Sequence, residues 1–368
     1  MLRRFQYKPS DWAPLAAAVY SFGLFAIVLS LLTPFLIRAA GYADNFDYLA
    51  IARALRTHDF SHVQPRVFWG YSYAIACVSA LFRLPDELSL VIVSIASSVA
   101  AVLLCQRLWG MAVAVWFTAA NFCWIKGSML GGSDTLAVAL VFAAFHEARL
   151  ERWYRASLFA AMATIVRPAP GFIALLAIGA TLLWRRQWRT AAACTAIGFV
   201  MAVGYMIPQY VIYHDPLMHW HSYSRFDWKA ASPITLPLLP LAQGIREYLS
   251  AQPVTNIVWT AIWVLFTIAT LVLMIKNGKE QRRDFPVEWG FGIGYAVFLL
   301  AYNSPHWLKA EYPRFVLPLV PLGIREFSKQ AEALIPAFPL YATVSAILGA
   351  ASAMNVRKAM ATFHGLLR

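Results

Sequence analysis

The run WAPLAAAVYSFGLFAIVLSLLTPFLI, residues 12–37, carries no charged side chain and follows the basic segment MLRRFQYKPS, residues 1–10. A helix of this length crosses a hydrocarbon core of about 30 Å, and the run is too long for the apolar part of a cleaved signal peptide. We therefore predict an anchored first transmembrane helix with its N-terminus in the cytoplasm.

Composition extends this prediction to the whole chain. Of the 368 residues, 60% are hydrophobic and only 13% are charged, whereas soluble domains carry about 25% charged residues. The net charge of +13 comes from basic residues in short loops between apolar runs. That pattern indicates membrane topology and contact with membrane lipids rather than with nucleic acid. The four cysteines lie in apolar segments without a CxxC pair, so we interpret them as reduced packing residues.

The apolar runs predict an all-α polytopic membrane protein with about eleven transmembrane helices. We expect one integral membrane domain over residues 1–368, which comprises a helical module (1–213), an extracytoplasmic loop (214–252) and C-terminal helices (253–368). A shorter apolar run, 315–324, lies between arginines. The charge-free runs that suit crossings are 88–106, 108–125, 135–146, 156–166, 168–184, 190–214, 248–275, 289–308 and 333–356.

The apolar segment 67–82 decides on which side of the membrane the later loops lie. If it crosses, the loop that contains Arg149, Arg152 and Arg155 falls outside, which the positive-inside rule disfavours. We therefore predict that it is a half-embedded juxtamembrane helix on the extracytoplasmic face.

A proline-rich break separates the short runs 156–166 and 168–184. Its sequence is Arg167-Pro-Ala-Pro-Gly, residues 167–171, and prolines followed by glycine turn a chain sharply. We predict a helical hairpin with Arg167 at its tip. Arg314 is expected inside the membrane as well, where it must face protein or a wet cavity.

Two acids, Asp44 and Asp47, follow the first apolar run directly. Three residues apart, they share one face of a helix in a chain that otherwise avoids charge. They could act as a general base, as metal ligands, or as counter-charges for Arg53 and Arg56. A solvated helix cap outside the membrane is the alternative.

The sequence around these acids resembles a known group of enzymes. DNFDYLAIA, residues 44–52, is similar to the first-loop motif Asp-x-x-x-Tyr-Leu-x-Ile-Ala of GT-C superfamily glycosyltransferases, in particular bacterial relatives of the GPI-anchor mannosyltransferases. The resemblance implies that Asp44 is the catalytic base and that Asp47 has a secondary role.

Further segments resemble motifs of this family in the same order. GSDTL (132–136) is similar to the second acidic motif, with Asp134 where glutamate is more frequent. Arg167-Pro168 is similar to a helix-breaking Arg-Pro, and YPRFVLP (312–318) to a late Arg-Tyr…Pro motif in which phenylalanine replaces tyrosine. QPRVF (64–68) lies where a proline-rich start of an embedded helix is expected.

The resemblance implies an inverting hexosyltransferase that moves a sugar, such as a mannose-type hexose, from a polyprenyl-phosphate donor to a lipid or glycan acceptor. We expect it in a bacterial inner membrane with its active site on the periplasmic face. Asp44, Asp47 and Asp134 are the predicted catalytic acids. The predicted donor-phosphate and substrate contacts are Arg314, Lys309, His306, Arg167, Arg66 and Tyr48.

No cofactor is predicted. The sequence lacks an Asp-x-Asp triplet, so a divalent metal of the kind that some relatives use is not supported. No histidine pair at i,i+4 spacing has a carboxylate in the right place, which leaves a zinc site without support.

Several of these residues have structural alternatives. Arg314 could extend to the membrane surface or pair with Glu311, and Arg167 could satisfy carbonyls freed by the prolines that follow it. Asp134, near Lys126, could be a helix-start acid, and Arg66 could be a headgroup anchor. For the whole chain, the alternatives are a secondary transporter, a non-catalytic lipid-binding protein, and another lipid-substrate enzyme such as an acyltransferase.

Overall fold

The computed structural model of the chain describes residues 12–32, 44–61, 63, 67–219, 221, 236–239, 242, 254–302 and 312–366. Across these residues the structure consists of α-helices, short 3₁₀ turns and irregular connections, without a β-strand. The predicted all-α class is therefore confirmed.

Ten helices occupy the N-terminal part of the described chain. Two of them, the second and third, lie in the region predicted as the first loop and its embedded helix. In chain order the ten are α1 (Ala13–Leu32), α2 (Asp44–Thr57), α3 (Gly70–Phe82), α4 (Asp86–Trp109), α5 (Met111–Thr118), α6 (Phe122–Leu130), α7 (Ser133–Arg149), α8 (Trp153–Val166), α9 (Pro168–Trp184) and α10 (Trp188–Tyr213).

The C-terminal part alternates long apolar helices with short ones. The helices are α11 (Val254–Lys276), α12 (Gly278–Asp284), α13 (Pro286–Ala301), α14 (Tyr312–Phe315), α15 (Val320–Glu326), α16 (Ser328–Ala333) and α17 (Phe338–Leu366). Short 3₁₀ turns at Leu317–Leu319 and Ile335–Ala337 join α14 to α15 and α16 to α17.

Five helices within the described residues are long and apolar enough to cross a membrane, and a bent pair of helices could supply a sixth crossing. The chain is an integral multi-pass membrane protein. The prediction of about eleven crossings stays a prediction. The five spans are Ala13–Leu32, Asp86–Trp109, Trp188–Tyr213, Ile257–Lys276 and Ile335–Met354, and the bent pair is α6 with α7.

The prediction of one crossing over residues 108–125 is wrong. Gly110, with a φ of 92°, ends α4, and α5 then spans only 8 residues, or about 12 Å. The chain turns again at Asn121, whose side-chain oxygen accepts the backbone N–H of Trp124 and caps α6. Neither proline nor glycine marks this second turn, so the uninterrupted apolar composition concealed it.

The predicted hairpin at Arg167 is confirmed. Helix α8 ends at Val166 and α9 begins at Pro168, with Arg167 in an extended conformation between them. The two helices approach closely at Gly171, where a Cβ atom would lie 2.1 Å from the backbone nitrogen of Thr164. Glycine is therefore required at this contact.

The principal hydrophobic core packs α4 and α7 against α8, α9 and α13, with large buried side chains such as Trp124, Phe142 and Phe291. A second cluster joins α1 and α17 to α5. Helix α3 packs on the end of α8, because Gly70 lies directly against the backbone of Ile165 and Val166. This packing positions the helices that surround the first turns of α2 and α7.

Candidate active site

Helix α2 presents Asp44 at its first position and buries the side chains of two neighbouring residues. The Asp44 side chain is 37% exposed, whereas Asn45 and Tyr48 are buried. The Asn45 amide donates to the carbonyl oxygens of Leu130 at 3.1 Å and Gly131 at 3.3 Å. Asn45 therefore fixes the start of α2 against the junction of α6 and α7.

That junction is a sharp bend of 103° between the two helices. Gly131 has a φ of 95°, a conformation that glycine adopts readily and other residues rarely. A Cβ atom at this position would also lie 2.0 Å from Cδ2 of Leu90. The bend starts α7 beside α2 and places Asp134 in the first turn of α7.

Four charged side chains meet at this point. Arg314 donates from Nε to Asp134 Oδ2 at 2.5 Å and from Nη1 to Asp44 Oδ2 at 3.0 Å. Arg167 Nε lies 2.7 Å from Asp134 Oδ1. Arg314 thus bridges Asp44 and Asp134, and Asp134 bridges Arg167 and Arg314. We call Asp44, Asp134, Arg167 and Arg314 the charge cluster.

The charge cluster is formally neutral and largely withdrawn from solvent. The side chains of Asp134 and Arg314 are each 6% exposed and that of Arg167 is 16% exposed. Buried charges are costly unless they are paired, so the mutual contacts explain how four ions persist in so apolar a chain. Asp44 is the most accessible of the four.

Neutral polar groups surround the charge cluster. The Tyr48 hydroxyl donates to Ser133 Oγ at 2.8 Å, and the same oxygen accepts from Arg167 Nε at 3.3 Å. Burial and the nearby Asp44 carboxylate raise the pKa of Tyr48, which keeps its phenol protonated as a donor. The Tyr71 hydroxyl oxygen accepts the N–H of Gly132 and so supports the bend that precedes Asp134.

Backbone contacts fix the short helix that carries Arg314. The Asn121 amide donates to the carbonyl oxygen of Pro313 at 2.9 Å, and the Tyr295 hydroxyl donates to that of Phe315 at 2.7 Å. The guanidinium of Arg167 lies 4.8 Å from the centre of the Phe315 ring. Sequence reasoning missed Asn121 and Tyr295, because their partners lie far away in the chain and no motif marks them.

The structure brings Asp44, Asp134, Arg167 and Arg314 together, with Tyr48 beside them. Their chemical roles stay predictions. Asp47 lies half-buried further along the first turn of α2, and its role also stays a prediction. The other predicted contacts, Arg66, His306 and Lys309, lie outside the described residues, as does Glu311.

The structural alternatives are resolved in part. Arg53 and Arg56 both pair with acids at the start of α4. Arg56 lies 2.8 Å from Asp86, and Arg53 lies 3.7 Å from Glu87. Asp134 is indeed a helix-start acid, but it also binds two guanidiniums.

The grouping of side chains bears on whether the site could hold a metal ion. No three His, Cys, Asp or Glu residues in the described part of the chain are placed so that they could hold a metal ion. The two carboxylates of the charge cluster are both engaged by Arg314.

Comparisons with known proteins give one structural likeness. No protein-family model matches the sequence, and a comparison with curated proteins gives no match. The fold is similar to the crystal structure of ArnT from Cupriavidus metallidurans bound to undecaprenyl phosphate, with a TM-score of 0.53 and 12% sequence identity. The match covers 88% of this chain and 60% of ArnT, so the chain spans about three fifths of the length of that protein. The chain therefore has an all-α polytopic fold similar to that of ArnT.

Proposed function

We propose that this chain is a membrane glycosyltransferase that moves a sugar from a polyprenyl-phosphate donor to an acceptor hydroxyl, with Asp44 as the general base. The observation that carries the proposal is the charge cluster, in which a partly exposed carboxylate and a buried guanidinium lie within one hydrogen bond of each other. The similarity of the fold to ArnT, whose crystal structure holds undecaprenyl phosphate, supports a lipid-phosphate substrate.

Arg314 is the residue that we assign to the donor phosphate. A guanidinium binds phosphate through two parallel N–H bonds and stays charged at every accessible pH. Negative charge develops on the phosphate oxygen as the bond to the sugar breaks, so a fixed cation there stabilises the transition state. Arg167 places a second positive charge on the other side of Asp134.

Asp44 is assigned as the base because it is the more exposed of the two carboxylates in the charge cluster. In the proposed reaction the acceptor hydroxyl gives its proton to Asp44 while its oxygen attacks C1 of the sugar. The bond between C1 and the phosphate oxygen breaks, and its electron pair leaves with the polyprenyl phosphate. One displacement of this kind inverts the configuration at C1, and a single base is sufficient for it.

Asp134 is better suited to positioning than to contact with substrate. Its side chain is 6% exposed, and its two oxygens are occupied by the two arginines. It therefore aligns both guanidiniums and balances their charge.

The two ends of α7 support an extracytoplasmic site. Asp134 lies in the first turn of this helix and Arg149 ends it, about 23 Å away along the axis. Arg149, Arg152, Arg155 and Arg185 lie at the far end, which the positive-inside rule places in the cytoplasm. We propose that the charge cluster faces the periplasm of a bacterial inner membrane, with a lipid or glycan as the acceptor.

The direct test incubates membranes that contain the full chain with a panel of radiolabelled polyprenyl-phosphate sugars, among them a mannose-type donor. Transfer of label to an acceptor, with release of polyprenyl phosphate, is the expected result. Glu87→Gln, on the exposed side of α4, is a matched control that should transfer at the normal rate, whereas Arg314→Gln should not transfer. Movement of label across the membrane without transfer would instead support a transporter.

A further inference from the structure

The contacts of Arg314 raise a question about how it could hold a phosphate. A guanidinium has five N–H donors in a fixed planar fork, and two of them, on adjacent nitrogens, are needed for a bidentate contact. In this structure its Nε atom is bonded to Asp134 and its Nη1 atom to Asp44. Nη1 carries two N–H groups, so a phosphate displaces the Asp44 carboxylate when its bidentate contact uses the N–H group that Asp44 accepts.

The two carboxylates are not equally easy to displace. Asp134 is 6% exposed, lies 2.5 Å from Arg314 and is held on its other oxygen by Arg167. Asp44 is 37% exposed and its contact with Arg314 is longer, at 3.0 Å. Solvent screens the more exposed pair more strongly, so the contact between Asp44 and Arg314 is the weaker one.

We propose that the Asp44–Arg314 ion pair is a latch that the donor opens, in which the donor phosphate replaces the Asp44 carboxylate on Arg314 and thereby frees Asp44 to act as the base. This inference rests on the proposed function and adds an order of events to it. A carboxylate bound to a guanidinium is a poor proton acceptor, because the pairing stabilises its charged form. The base becomes competent only when a donor is present.

The latch predicts a binding effect that is not expected if Asp44 and Arg314 act independently. Because Asp44 competes with phosphate for Arg314, Asp44→Asn should abolish transfer and yet tighten the binding of a lipid phosphate. We expect an increase in affinity of about 1.4-fold to fivefold, the range for exposed ion pairs. A base that does not compete for Arg314 would not have this effect.

Removal of any negative charge near a phosphate could also tighten binding by reducing repulsion. A double-mutant cycle separates the two causes, because it isolates the part of the effect that depends on Arg314. The four proteins are wild type, Asp44→Asn, Arg314→Gln and the double variant. Glu87→Gln removes a carboxylate from the exposed start of α4 and serves as the matched charge control.

The experiment measures the dissociation constant of farnesyl phosphate for each purified full-length protein in detergent, with farnesol as the uncharged probe. The latch predicts tighter farnesyl phosphate binding for Asp44→Asn, no such gain in the Arg314→Gln background, and no change with farnesol or in Glu87→Gln. The latch alone would be overturned if Asp44→Asn increased the affinity for farnesyl phosphate equally in the wild-type and Arg314→Gln backgrounds. It would also be overturned if wild type bound farnesyl phosphate and Asp44→Asn bound it no more tightly. Failure of every protein to bind farnesyl phosphate would overturn the proposed phosphate site and the latch together.

Discussion

The Tyr48 hydroxyl donates a hydrogen bond of 2.8 Å to Ser133 Oγ and so joins the first turn of α2 to the first turn of α7. Because both residues are buried, Tyr48→Phe should cost about 1 kcal/mol of stability. Without this hydrogen bond, the distance between Asp44 and Asp134 should vary more. We expect transfer to fall about fivefold, measured as the initial rate. Tyr20→Phe, on an exposed part of α1, is the matched control. An unchanged rate in Tyr48→Phe would show that this contact does not position the acids.

The bend before α7 gives a second prediction, which concerns Gly131. Gly131→Ala introduces a side chain at a φ of 95° and against Leu90, so we expect a loss of at least about 1 kcal/mol together with reduced transfer. Gly179→Ala is the control, because a Cβ atom at that position meets nothing within 4 Å and alanine favours the helix. Thermal unfolding in detergent should separate the two variants, and equal melting temperatures would contradict the role of the bend.

The far end of α7 carries a buried ion pair that should stabilise the fold without affecting the site. Arg149 Nε lies 2.6 Å from Glu288 Oε1, and the Glu288 side chain is 2% exposed. Glu288→Gln leaves the arginine charge uncompensated, which costs about 3 kcal/mol when the partner is buried. Glu151→Gln breaks a comparable but exposed pair with Arg185 and should change stability by less than about 1 kcal/mol. Similar unfolding temperatures for both variants would refute this difference.

Acid sensitivity is expected at His219, which follows α10 and lies outside the membrane-spanning segments. Burial lowers its pKa from 6.5 to about 4, so the unfolded form takes up a proton at a higher pH than the folded form. Stability should therefore fall as the pH is lowered from about 6.5 to about 4. The His219 ring contacts Trp69, so tryptophan fluorescence should report the unfolding of this part of the protein. His219→Phe should remove this part of the pH dependence of stability. If the pH dependence of this variant equals that of wild type, another group causes it.

Much of the fold follows from local sequence. Charge-free length predicted the first helix, and the prolines after Arg167 predicted the hairpin, because both signals act within a few residues. The break at Asn121 was not predicted. A single N-cap side chain starts a new helix there, within an apolar run and without proline or glycine. Local composition predicts helices well and short interruptions poorly.

The residues of the candidate site were predicted from the sequence as one group, but their contacts with one another were not. Asp44, Asp134, Arg167 and Arg314 are rare charges in apolar surroundings, which made each of them conspicuous. Their pairing was not predictable, because Arg314 is 270 residues from Asp44 and 180 from Asp134. The neighbour Glu311 was the local alternative as a partner of Arg314, whereas the packing of α14 against α6 brings Arg314 to the distant acids.

Asp44→Asn asks whether Asp44 accepts the proton of the acceptor hydroxyl. Asparagine keeps the shape of the side chain but cannot act as a base at neutral pH. In membranes supplied with the labelled donor that wild type uses, we predict normal insertion of Asp44→Asn and a loss of transfer of at least about a hundredfold, with Glu87→Gln at the wild-type rate. Transfer by Asp44→Asn at a rate near that of wild type would show that Asp44 is not the base.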